Sequence, residues 1–179
     1  MTIHSITSDG PEPFAEVSSG FLTLLDEAAG IPGIAVRPLA ALRGKVEEHA
    51  FNLVVAGEFK RGKSTVINAL LGAEVLPTAV VPLTSVVTLL RHAVSPGVRV
   101  EFDSGSMLAV GLDTLADYVT ERDNPGNSKG VREVVVDYPA RWLEGGIRLV
   151  DTPGIGSAYQ HNTEVARRYL PEADAVIFV

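Results

Sequence analysis

The nine residues Gly57-Glu58-Phe59-Lys60-Arg61-Gly62-Lys63-Ser64-Thr65 fit the pattern G-x-x-x-x-G-K-[ST], and their flanks leave this chain few folds to choose from. Phe51 to Ala56 is a short, largely apolar run of strand length. Val66 to Leu71 suits a helix, with Gly72 as its stop. A strand that enters a helix through such a glycine-bearing loop turns a series of main-chain N–H groups toward one place. The positive end of the helix dipole faces the same place. The ligand that fits there is the phosphate chain of a nucleotide, and the fold that supplies the arrangement is an α/β domain with a mostly parallel sheet flanked by helices.

Composition agrees. The 179 residues are 46% hydrophobic but only 6% aromatic, an aliphatic interior of the kind that buries parallel strands. Net charge is −7 with no long basic run, which argues against a nucleic-acid surface and against a polybasic membrane footprint in this segment. The absence of cysteine excludes disulfides and thiolate metal sites. No apolar run approaches the length of a membrane span, and Met1 to Gly10 lacks the regions of a signal peptide. The expectation is a cytoplasmic chain.

Three segments are expected along the chain. Residues 1–13 are polar and carry Gly10, Pro11 and Pro13, a disordered tail. Residues 14–50 form a helical extension: Phe14, Val17, Phe21, Leu24, Leu25 and Ala28 share one helical face, and Leu39, Leu42 and Val46 face inward on a second helix from about Pro38 to His49. That pair is either packed on the domain or part of a stalk. Residues 51–179 are the nucleotide-binding domain. Within it, Ser85–His92 and Val98–Phe102 read as strands joined in a hairpin through Ser95-Pro96-Gly97. Leu112–Thr120 reads as a helix, Val131–Tyr138 and Ile147–Val150 as strands, Thr163–Leu170 as a helix and Asp174–Val179 as a last strand. Trp142 is expected to anchor packing under the Gly145-Gly146 turn. His4, His49 and His92 form no metal-ligand spacing.

Asp151-Thr152-Pro153-Gly154 follows directly on the strand Ile147–Val150. A nucleotide hydrolase needs a carboxylate at such a strand end to hold the water shell of Mg²⁺. The glycine after it lets a main-chain N–H approach the terminal phosphate without a Cβ in the way. A hydroxyl for the metal should come from the loop between the two motifs, where Thr78, Thr84, Ser85 and Thr88 are available. Thr84, just past Pro82 and before a strand, is the preferred one.

Taken together, Gly-Glu-Phe-Lys-Arg-Gly-Lys-Ser-Thr, Asn-Ala-Leu-Leu-Gly, Leu-Pro-Thr-Ala-Val-Val-Pro-Leu-Thr-Ser and Val-Asp-Thr-Pro-Gly, in this order from about residue 51 onward, resemble the GTPase domain of bacterial dynamin-like proteins. Ala173 to Val179 resembles that family's next core strand, and the preceding helices resemble its stalk. The resemblance implies GTP or GDP as ligand and Mg²⁺ as cofactor. It implies amides from Glu58 through Phe59, Lys60, Arg61, Gly62, Lys63 and Ser64 to Thr65 around the phosphates, with Lys63 reaching the β- and γ-phosphates. Ser64 and Thr84 would ligate the metal with Asp151 behind them, and the main chain near Thr84 and Gly154 would position the attacking water. It also implies self-association through the GTPase domain, and membrane remodelling through regions outside this segment, at the inner face of the cell membrane.

The sequence departs from relatives at informative places. The slot where Ras-like GTPases carry a water-orienting glutamine holds Ile155, which cannot polarise water. The two phosphate-loop slots where many dynamins carry a polar pair hold Phe59 and Lys60. Lys60 lies where guanylate-binding relatives carry an internal arginine finger, so it is the expected source of charge for the leaving group, with Arg61 a weaker choice. No Asn/Thr-Lys-x-Asp element of the kind that reads guanine occurs, so the domain is expected to be incomplete at its C-terminal end. By residues alone, a P-loop ATPase or a non-catalytic scaffold with weak nucleotide binding stays open beside the GTPase. His161, beyond the second motif, reads as a solvated loop residue.

Overall fold

The computed structural model describes residues 12–58, 60–78, 86–154 and 169–179. They fall into two compact units, Met1–Ala50 and Phe51–Val179.

The first unit is a helical pair. Helix α1 spans Glu12–Ala29 and α2 spans Val36–Glu47. Gly30, Pro32 and Gly33 break the chain between them, with Gly33 at φ 93°. The inward face expected for α2 is not realised. No residue of α2 is buried, Leu42 is 40% exposed, and on α1 Leu25 is buried while Val17, Phe21 and Leu24 lie open. Two helices alone cannot close a core around both apolar stripes. Polar contacts help to join them: Arg43 pairs with Asp26 on α1 and with Glu47 one turn on.

The second unit is built on one seven-stranded sheet in the order β4-β3-β5-β2-β6-β1-β7. Its strands are β1 (Phe51–Ala56), β2 (Thr88–His92), β3 (Gly97–Phe102), β4 (Met107–Val110), β5 (Val131–Tyr138), β6 (Ile147–Asp151) and β7 (Ala175–Phe178). Helix α3 (Lys63–Leu71) follows β1, and a short α4 (Ala116–Val119) follows β4. Pairing is parallel for β1 with β6, β1 with β7 and β2 with β5, and antiparallel elsewhere. The parallel trio β6-β1-β7 carries the phosphate loop, and the antiparallel pairs lie toward the other edge.

The expected β2–β3 hairpin does not form. β5 lies between the two strands, parallel to β2 and antiparallel to β3. The run Val134-Val135-Val136 is buried on both faces, so it requires a neighbour on each side, which outweighs the local turn at Ser95-Pro96-Gly97. The hairpin partner of β3 is β4 instead, across the turn closed by the Gly105 N–H to the Phe102 carbonyl. The helix expected over Leu112–Thr120 is a 3-10 turn followed by the single turn α4.

The core is aliphatic on both faces. On one side Val55, Leu90, Leu149 and Val136 pack with Ile67 and Leu71 of α3. On the other Val54, Ala56, Val87 and Val150 pack beside Leu89, Tyr169 and Ala173. Trp142 is 39% exposed and does not anchor its turn; its neighbour Leu143, fully buried, does. Asn52 fastens β1 to the start of β7. Its N–H donates to Asp174 Oδ2 at 2.8 Å and its carbonyl accepts the Asp174 N–H at 2.9 Å.

Candidate functional site

In open α/β sheets, ligands bind outside the carboxyl ends of the strands. Here β1 and β6 run parallel with Val55 opposite Asp151, so the loop that leaves β1 and the motif that ends β6 emerge side by side. The sheet register brings the two sequence motifs together from 94 positions apart (57 to 151).

Each glycine of the loop has its own reason. A Cβ on Gly57 would sit 2.0 Å from the Val179 carbonyl oxygen, so β1 and β7 can pack this closely only with glycine there. Gly62, at φ 93°, supplies the left-handed turn that starts α3; a Cβ there would meet nothing nearer than Thr65 Cβ at 3.9 Å, so its backbone rather than crowding calls for glycine. It offers no side-chain cap and the first turn of α3 contains no acidic residue, so the amides of Lys63, Ser64 and Thr65 keep their positive potential for an external anion. Lys60, at φ 62°, is a further left-handed position in the same loop and, among the described residues there, the only one with a side chain. Strained backbone of this kind gathers at ligand sites.

Lys63 is buried although charged. Its Nζ donates to the carbonyls of Glu58 at 2.9 Å and Gly57 at 3.3 Å, which leaves one of its three N–H groups for a phosphate oxygen. Burial holds its pKa below the ordinary lysine value, and the Asp151 carboxylate partly offsets that. Arg61 lies outside the cradle. It is exposed and forks onto Glu58 Oε2 at 2.8 and 3.1 Å, an i,i+3 pair that braces the loop.

Ser64 and Asp151 meet directly: the Ser64 hydroxyl donates to Asp151 Oδ2 at 2.8 Å. A neutral hydroxyl and a buried carboxylate one hydrogen bond apart, at the end of a phosphate cradle, form a hard-oxygen donor set that suits Mg²⁺. Thr152, fully buried, donates from Oγ1 to the Val55 carbonyl at 2.9 Å, so the second motif is pinned to β1 at the point where the phosphate loop departs. Gly154 is buried beside it. Thr65 and Thr78 are exposed. Phe59, Thr84, Ser85, Ile155 and His161 lie outside the described residues.

Sequence reading missed Asn68. It is buried in the second turn of α3 and makes three hydrogen bonds to the loop that follows: Nδ2 to the Leu76 carbonyl at 2.8 Å, and Oδ1 from the Leu76 and Val75 N–H groups at 2.9 and 3.1 Å. The signal was present, since asparagine is a poor helix-interior residue and a buried one needs partners. Asn68 fixes the path of the chain as it leaves α3 toward Thr78.

Comparison with known proteins agrees with this geometry. The family model described as "Dynamin family" matches residues 53–179. An uncharacterised protein encoded in the xynA 3′ region of Caldicellulosiruptor sp. (strain Rt8B.4) is 48% identical over 146 residues, covering 81% of this chain and 36% of that protein. The bacterial dynamin-like protein of Nostoc punctiforme is 32% identical over 144 residues, 75% of this chain and 21% of its own length. Among solved structures, one from an oligomerised bacterial dynamin pair, described as a mechanism for long-range sensing and tethering of membranes, superposes with a TM-score of 0.64 at 27% identity. It covers 90% of this chain and 26% of its own. The chain thus spans about a third or less of the length of these relatives. A match that runs from the first strand of the sheet through both phosphate motifs shows that the chain belongs to the dynamin family.

Proposed function

We propose that this chain binds and hydrolyses GTP as part of a dynamin-like protein, and that nucleotide turnover switches its conformation in membrane remodelling. The observation that carries the reading is the Ser64–Asp151 hydrogen bond, which joins the helix start of the phosphate loop to the carboxylate of the second motif in a family of GTPases. Phosphates lie along the amides from Glu58 to Thr65 and against Lys63. Ser64, Thr84 and Asp151 would hold Mg²⁺, which would supply positive charge against the charge that develops on the phosphates. The main chain at Thr84 and Gly154 orders the attacking water. The left-handed turn at Lys60 supports its role as the cation that stabilises the leaving group in place of a bound ion. Arg61, committed to Glu58, holds the loop.

We place self-association in this domain and the protein at the inner face of the cell membrane; a structural neighbour described as an oligomerised bacterial dynamin pair that senses and tethers membranes supports an oligomeric, membrane-linked role. Among the described residues no helix is long and apolar enough to cross a bilayer. Phosphate release tests the reading. The protein should hydrolyse GTP in Mg²⁺, and Lys60→Ala should slow turnover by about tenfold or more while GDP affinity holds. Equal turnover in Lys60→Ala removes that residue from catalysis, and no turnover by the wild type removes the activity.

A further inference from the structure

Thr88, one of the hydroxyl candidates singled out in the sequence, has no task in the site as described. It opens β2 and is fully buried. Its Oγ1 is sealed from solvent and has no hydrogen-bond partner among the described residues. A buried hydroxyl left so is unfavourable compared with a methyl of the same shape, and Val86 and Val87 just before it show how apolar the surroundings are.

The sheet gives that hydroxyl an address. In the antiparallel pairing of β2 with β6, Thr88 stands directly opposite Asp151. Opposed residues present their side chains on the same face, with Cβ atoms about 4.5–5.5 Å apart. The face is that of α3, because Leu90, two residues on, and Val55, opposite Asp151, both pack with Ile67 and Leu71. Asp151 takes the Ser64 hydroxyl on Oδ2, and its Oδ1 is fully buried as well.

We propose that Thr88 is a positioning residue for Asp151: its hydroxyl donates to the Asp151 carboxylate when nucleotide and metal are bound, so that two hydroxyls, one from α3 and one from β2, fix the plane of the carboxylate. This rests on the nucleotide reading above. A carboxylate that acts through the metal's water shell gains from a fixed plane, because the waters it holds must be fixed in turn. Thr88 touches neither phosphate nor metal in this scheme.

The test is the binding of fluorescently labelled GDP to wild type, Thr88→Val and Thr88→Ser, each in Mg²⁺ and in excess EDTA. Thr88→Val keeps the shape and removes only the hydroxyl. It should match wild type in EDTA within about twofold and lose about tenfold of the affinity that Mg²⁺ adds. Thr88→Ser should restore that gain. The unfolding midpoint of nucleotide-free Thr88→Val should equal or exceed that of wild type. The inference is overturned if Thr88→Val shows the full Mg²⁺ gain, if it loses affinity equally in both buffers, or if Thr88→Ser fails to restore it. Thr88→Ala carries the same comparison if the valine variant does not fold. Wild type that binds no GDP in either buffer rejects the nucleotide reading itself and this inference with it, a result distinct from the other three.

Discussion

On the proposed reading, Lys63 serves nucleotide binding at the expense of the empty fold. Its ammonium is buried against two carbonyls, and burial lowers its pKa from the ordinary value of 10.5. Between the lowered value and 10.5 the folded chain therefore binds fewer protons than the unfolded one, so this residue makes stability rise with pH across that window. Lys63→Met should abolish nucleotide binding, leave the nucleotide-free unfolding midpoint undiminished at neutral pH, and lack that rise. Denaturation between pH 7 and 10.5, compared for the two proteins, checks it; a midpoint far below wild type at pH 7 would show that the charge stabilises the empty fold. The positions of Lys63, Ser64 and Asp151 were legible in the sequence because a short motif fixes residue type and spacing together. The left-handed φ of Lys60 was not, since nothing about a lysine announces it. The pairing of Arg61 with Glu58 was not legible either, because i,i+3 neighbours meet on a helix and these two lie in the loop before α3.

Elements were legible where local pattern decided them. The strand Phe51–Ala56 and the stop at Gly72 stand where periodicity and glycine placed them, with Gly72 at φ 70°, its N–H on the Ala69 carbonyl and the Ala73 N–H on the Asn68 carbonyl; the helix expected over Val66–Leu71 starts three residues earlier, at Lys63. Pairing was not legible, because it is a long-range choice. β5 intrudes between β2 and β3 for the sake of burial that no window of the sequence displays. β4, with three exposed residues out of four, lacks the alternation that marks a strand. Asn68 belongs to this scale, since it joins one helix to the loop that leaves it. Asn68→Ala deprives the Val75 and Leu76 amides and the Leu76 carbonyl of a partner and should cost about 2–3 kcal/mol in denaturant unfolding. A cost below about 0.5 kcal/mol would mean that water takes over all of these contacts.

At the scale of the molecule, a parallel trio of strands presents the phosphate loop and its carboxylate at one end, and a mixed set, with β2 and β5 parallel and β3 antiparallel to both its neighbours, completes the sheet. The helical pair has its own contacts and its own exposed apolar stripe. The whole account depends on the loop being a cradle for a guanine nucleotide with magnesium. Calorimetric titration of wild type and Lys63→Met with GDP in Mg²⁺ tests this most directly. The account predicts tight binding to wild type and loss of that heat in Lys63→Met. No heat with wild type, or the same heat in Lys63→Met, would contradict it.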